Sequence, residues 1–226
     1  PPAFGGRLDR DLRGVRIAWS PDLGVLPLER RVRDAIDGAR GTFEELGCQV
    51  EEARPDLSGG DDIFLTIRAW MSAQKYGALL RDHRERMKPE AVAEIEAGLA
   101  LTGTQVADAM SRHATLLAHV REFFTRYDFL VCAVNQVAPF DVTLDWPKEI
   151  EGRRTTHYVE WMQSAYWISV TFGPAISVPC GFTPEGLPVG IQIVGKRGDD
   201  LPLLQLAHAF ERATRVGDRV PELMCL

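Results

Sequence analysis

Residues 173–195 read GPAISVPCGFTPEGLPVGIQIVG, and nine of these 23 positions are proline or glycine. Proline cannot donate to a strand ladder, which confines it to edge strands, strand ends and bulges. The segment therefore reads as two strands, AISVPCGF and VGIQIVG, joined through TPEGLP as a hairpin or near-hairpin. Pro179 and Gly181 mark a strand end or a bulge. Pro174 stops the preceding helix, because the residue before a proline is pushed out of the helical region. The punctuation is thus chiefly architectural.

The rest of the chain supplies the partners such a hairpin needs. A short strand over 15–19 ends in a Ser20-Pro21-Asp22 turn. An amphipathic helix follows over 28–46, with Val32, Ile36, Ala39, Phe43 and Leu46 at helical spacing and Gly47 as its stop. CQVEEA reads as a second strand, so the order is strand–helix–strand and the class α/β. Residues 61–126 are mostly helical: a long helix over 61–87, a helix opened by Pro89, and a third with Thr104 as its N-cap. DFLVCAVNQVAPF is predicted as a buried strand ended by Pro139. A polar loop over 141–154 leads to a helix over 157–172, and a last helix spans 201–214.

At 226 residues the chain is long enough for one large domain or two small ones. A net charge of −6 and a pI near 5.4 give no basic footprint for nucleic acid or an anionic membrane. No apolar run approaches a membrane span, and no charged leader precedes an apolar stretch. Cys48, Cys132, Cys180 and Cys225 lack zinc-type spacing, so reduced cytoplasmic thiols are expected. The opening PPAFGGRLDRDLRG has turn-rich linker chemistry, so residues 1–14 read as a linker within a longer protein and 15–226 as part of a single domain.

Four motifs offer chemistry. Ser72 and Lys75 match S-x-x-K, but the companion S-D-N and K-T-G elements are absent and the pair sits within a helix. GIQIVGK at 190–196 nearly matches a phosphate loop, yet its interior reads as strand and Arg197 replaces the magnesium-binding hydroxyl. His113 and His119 are about 240° apart around a helix, and His83, His157 and His208 have no ligand-spaced partner. Tyr158, Trp161, Trp167 and Phe172 make the stretch before Gly173 aromatic, at a helix–strand break where a pocket wall is common.

FGPAISVPCGFTPEGLPVGIQIVGKRGDDLPLLQLAHAFE resembles the C-terminal signature of the amidase signature family. DLRGVRIAWSPDLG, the helix–strand RRVRDAIDGARGTFEELGCQVEEA, YDFLVCAVNQVAPFD and WPKEIEGRRTTHYVEWMQSAYWIS resemble successive family segments, from about Asp11 to Arg212. The resemblance implies an α/β/α sandwich around a mixed β-sheet, of which this chain is the C-terminal part. It also implies hydrolysis of carboxamide C–N bonds without metal or cofactor. A serine nucleophile acts with a second, cis-peptide serine and a lysine base, and backbone N–H groups stabilise the oxyanion. Those residues belong to a Gly/Ser-rich stretch in the family's N-terminal half, which has no counterpart here; LSGGDD at 57–62 lacks the serine pair. No catalytic residue is therefore assigned to this chain, and the chain by itself is expected to be inactive.

By position before the Pro-Ala motif, the resemblance assigns a pocket wall to Ala165, Ile168 and Phe172, with Trp167 beside them. Phe172 stands where family members commonly carry glycine. Gln136 and Phe140 are pocket-edge candidates from their place after a buried strand. An aromatic, uncharged wall points to an aryl or apolar acyl amide as substrate. Half of such a sheet is expected to expose an edge, covered by the missing N-terminal part or by self-association. The alternatives are the A subunit of a tRNA-dependent amidotransferase and a non-catalytic binding or assembly module.

Overall fold

The computed structural model describes residues 6–219, which form two compact units, 6–55 with 121–219 and 56–120. Pro1, Pro2 and Cys225 lie outside the described residues. In chain order the elements are β1 (Arg16–Trp19), α1 (Arg30–Glu45), β2 (Gln49–Glu52), α2 (Gly60–His83), α3 (Pro89–Ala100), α4 (Gly103–Arg126) and β3 (Phe129–Ala133). Then come β4 (Glu149–Ile150), β5 (Arg153–Arg154), α5 (Gln163–Ser169), β6 (Ala175–Phe182), β7 (Pro188–Gly195) and α6 (Asp200–Thr214).

The first unit is built on a five-stranded mixed sheet of order β2-β1-β3-β7-β6. β1 pairs in parallel with β2 and β3, whereas β7 runs antiparallel to both β3 and β6. Side chains alternate between the two faces. Ile17, Trp19, Phe129, Val131, Ala133, Val189, Ile191 and Ile193 join one core with Val32, Ile36, Ala39 and Phe43 of α1 and Leu203, Leu206 and Phe210 of α6. The opposite face carries Ala18, Leu130, Cys132, Gln192 and Val194, all buried. At the edge strand β6 that face opens, with Ala175 and Ser177 exposed.

The hairpin of residues 173–195 forms as the Pro/Gly pattern requires. Its register shifts between Pro179 and Gly181, so Cys180 is the bulged residue and the strand continues to Phe182. Proline is tolerated there because β6 lies at the sheet edge. α1 ends in a Schellman motif: Gly47 takes φ +91°, its N–H donates to Glu44 O (2.9 Å), and the N–H of Cys48 donates to Phe43 O (3.0 Å).

Several boundaries differ from the sequence reading; the helix expected over 61–87 is α2, ending at His83, and a 3₁₀ turn over Arg84–Arg86. Thr102, not Thr104, caps α4: its hydroxyl accepts the Gln105 N–H (3.3 Å), and Gln105 Oε1 accepts the Thr102 N–H (2.9 Å). This is a reciprocal capping box. The strand expected over 128–140 stops at Ala133, because the backbone beyond it turns to other partners. The helix expected over 157–172 is a 3₁₀ turn (Glu160–Met162) followed by the seven residues of α5. Here the Glu160 carboxylate turns back to accept the N–H groups of Thr156 and His157, which fixes a start later than the aromatic pattern implies.

In the second unit α2 and α3 pack with their backbones in close approach at Gly98. Ser72 donates to Glu94 and Lys75 lies 5.1 Å from the Tyr76 ring centroid, so they form no nucleophile–base pair. No helix among the described residues is long and apolar enough to cross a membrane.

Candidate functional site

A cleft of about 230 Å³ opens where the backbone leaves the carboxyl end of β3. Val134 and Asn135 line it beside Phe140 and Trp161, which form an aromatic wall, and Val32 and Pro188 reach it from α1 and β7. Crevices outside the carboxyl ends of strands are the usual ligand positions in α/β sheets. The lining side chains carry no formal charge. Phe140 and Trp161 meet edge to face, with centroids 5.3 Å apart and planes at 83°, an arrangement that rigidifies the wall.

Gln136 lies behind this wall rather than at its edge. It is 1 % exposed, and its Oε1 accepts the N–H of Ser164 (3.2 Å). Its own backbone N–H donates to Trp161 O (3.1 Å), and its carbonyl accepts the N–H of Glu29 (2.8 Å). Glu29 in turn accepts the Ala138 N–H through Oε2 (2.8 Å). These bonds pull the chain out of the β3 ladder and fasten it to both α1 and α5. The Gln136 amide nitrogen is buried without a hydrogen-bond partner among the described residues.

The remaining wall candidates lie on or just after α5. Ala165 and Trp167 are half-buried, and Ile168 is 2 % exposed and packed into the interior. Phe172 falls beyond the helix, 56 % exposed, with φ +56°. That left-handed conformation is the one glycine adopts without cost. Among the six candidates, Phe140 lines the cleft; the α5 residues are not part of its lining. Trp161, from the aromatic stretch that the sequence places at a pocket wall, lines the cleft, whereas the sequence reading names neither Val32 nor Pro188. Val32 and Pro188 arrive from distant elements, α1 and β7.

A second concavity, of about 550 Å³, lies at the carboxyl ends of β1 and β2. Arg33 pairs there with Asp22, Arg40 bridges to Glu52 (3.5 Å), and Arg54 donates to Leu23 O (3.4 Å). Its charges largely neutralise one another.

The serine–lysine pairing of the family resemblance is not formed among the described residues. Ser164 Oγ donates to Val134 O (2.8 Å), and no described serine hydroxyl bonds to a lysine amine. Lys196 lies 3.4 Å from Asp128 and Lys148 stands over the Trp146 ring. Burial pushes the thiols of Cys132 and Cys180 up to about 12 and that of Cys48 to about 11, which removes them as thiolate nucleophiles at neutral pH.

The amidase family model matches residues 2–204. The chain is 30% identical over 215 residues to an acylamidase of Rhodococcus erythropolis, covering 93% of this chain and 45% of that protein. It is 27% identical to the A subunit of the glutamyl-tRNA(Gln) amidotransferase of Cupriavidus necator, covering 94% of this chain and 46% of that one. The chain thus spans about half the length of the curated relatives it matches. A bacterial aryl acylamidase of the amidase signature family superposes with a TM-score of 0.84 at 25% identity, over 93% of this chain and 46% of that structure. A 6-aminohexanoate cyclic dimer hydrolase shares the fold, with a TM-score of 0.82 at 20% identity, over 96% of this chain and 48% of that structure. With the family model matched over residues 2–204 and the fold shared with amidase signature enzymes over nearly its whole length, this chain belongs to the amidase family.

Proposed function

We propose that this chain is the substrate-shaping, C-terminal portion of an amidase that hydrolyses carboxamide C–N bonds, with the Ser–Ser–Lys machinery carried by residues outside it. One observation carries the reading. An uncharged aromatic cleft stands at the carboxyl end of β3 in an amidase-family chain whose described serines have no lysine partner. A wall of Phe140 and Trp161 suits an aryl or apolar acyl amide, since stacking contacts favour a flat ring. The acylamidase and aryl acylamidase relatives support the same substrate class. Ala165, Trp167 and Phe172 then belong to a wall completed by residues outside this chain, with Ile168 packed beneath it.

The test uses the longer polypeptide that joins this chain to the serine and lysine residues. Trp161→Ala is expected to raise KM for an apolar acyl para-nitroanilide about tenfold and to change kcat less, because the ring binds substrate and transition state alike. A polypeptide that uses glutamine and ignores anilides would replace this reading with the amidotransferase one, favoured by the 27% identity to that enzyme's A subunit.

A further inference from the structure

The N-terminus of α1 gathers an unusual number of chain segments. Helix starts leave N–H groups without intrahelical partners. α1 lacks a side-chain cap from Glu29 and has no acidic residue in its first turn. Its first amide is instead satisfied from far away: the N–H of Arg30 donates to Glu151 Oε1 at 2.9 Å, across 121 residues. Glu151 sits at the tip of the small hairpin β4–β5, whose ladder has two residue pairs.

The tip is a strained place for glutamate. Glu151 and Gly152 take φ of +48° and +77°. Left-handed conformation at both central residues is the pattern of a type I′ turn, which favours Asn-Gly. The side chain that occupies this position is long enough to reach the helix and has the charge a helix N-terminus attracts.

The hairpin belongs to a segment, 141–158, that leaves the cleft wall at Phe140 and returns just before Trp161. Ile150 is 3 % exposed and anchors it, whereas Val142 and Leu144 are 96 % and 52 % exposed. The chain entering the segment is held at the same helix end through Glu29 and Ala138 (2.8 Å). Arg31 there bonds Glu29 (2.7 Å) and Glu185 (3.3 Å), which adds the β6–β7 turn.

We infer that Glu151 is a positioning residue: its carboxylate latches segment 141–158 to the N-terminus of α1 and so fixes the Phe140–Trp161 wall of the cleft. The latch rests on the proposed substrate cleft only for its effect on activity; its effect on order is independent of what the cleft binds. Local turn energetics and the latch make opposite forecasts for one substitution. Glu151→Asn installs the preferred turn residue but shortens the side chain by one methylene, so that it no longer reaches Arg30.

Hydrogen–deuterium exchange on the longer polypeptide separates the two. With Glu151→Asn, the amides of 141–158 and of Arg30 are expected to exchange roughly five- to thirtyfold faster. Glu151→Gln, which keeps the length and the acceptor oxygen, is expected to restore most of the protection. KM for an apolar acyl anilide is expected to rise with Glu151→Asn while kcat holds. Unchanged or slower exchange with Glu151→Asn overturns the latch whatever the substrate proves to be. Faster exchange without anilide turnover in the parent keeps the latch and overturns the substrate reading instead.

Discussion

Phe43→Ala is expected to lower the stability of the sheet unit by about 3–5 kcal/mol. Phe43 is fully buried on α1, stacks on Phe210 of α6 at 4.7 Å and meets Trp19 of β1 edge to face at 6.1 Å. It is the contact through which both covering helices grip the same face of the sheet. Alanine removes ring–ring contacts on two sides, and the Trp19 and Phe210 rings stand on rigid elements that close the cavity only partly. Small domains hold about 5–15 kcal/mol in total, so the loss is a large share of what keeps the unit folded. Urea unfolding should show a lower midpoint with an unchanged slope. A loss under about 1 kcal/mol would mean that α1 and α6 do not depend on this cluster.

Gly98→Ala tests the second unit, and its sign is the informative part. Within a helix, glycine to alanine normally gains about 1 kcal/mol from backbone propensity. Here the added Cβ would lie 1.9 Å from the carbonyl oxygen of Ala69, 2.5 Å from its carbon and 2.8 Å from the Ala73 Cβ. Two of those three are backbone atoms of α2 and cannot rotate away. α3 must separate from α2, and overpacking of this kind costs about 1–3 kcal/mol or more. Because Ile95 and Gly98 are the buried residues of α3, the whole contact is at stake. The expected outcome is a net loss of more than about 1 kcal/mol, with faster amide exchange over 89–100. A stabilised variant would show that the two helices do not approach this closely at Gly98.

Much of this architecture is legible in the sequence because its signals are local. Gly47 stops α1 as its place predicts, and the Pro/Gly spacing of 173–195 encodes hairpin, bulge and edge position together. The T-x-x-Q box at Thr102 is equally local, and it outweighs the hydroxyl of Thr104 because both of its bonds are reciprocal. The features that escape a sequence reading depend on distant partners. β3 ends early because Gln136 bonds to Trp161 and Glu29, which no periodicity records. The helix before Gly173 is short because Glu160 faces backward. In the cleft, Phe140 is readable from its place after a buried strand. Val32 and Pro188 require knowledge that α1 and β7 flank β3. Phe172 carries a subtler signal: the position to which the family resemblance assigns glycine takes φ +56° here.

In the proposed division of labour this chain shapes the substrate cleft and supplies no nucleophile. The direct measurement is hydrolysis of an apolar acyl para-nitroanilide by the purified 226-residue chain, beside the longer polypeptide that adds the serine and lysine residues. No turnover above background is expected from the chain by itself, and clear turnover is expected from the longer polypeptide. Turnover by the 226-residue chain, abolished by replacing one of its own serines with alanine, would contradict the claim.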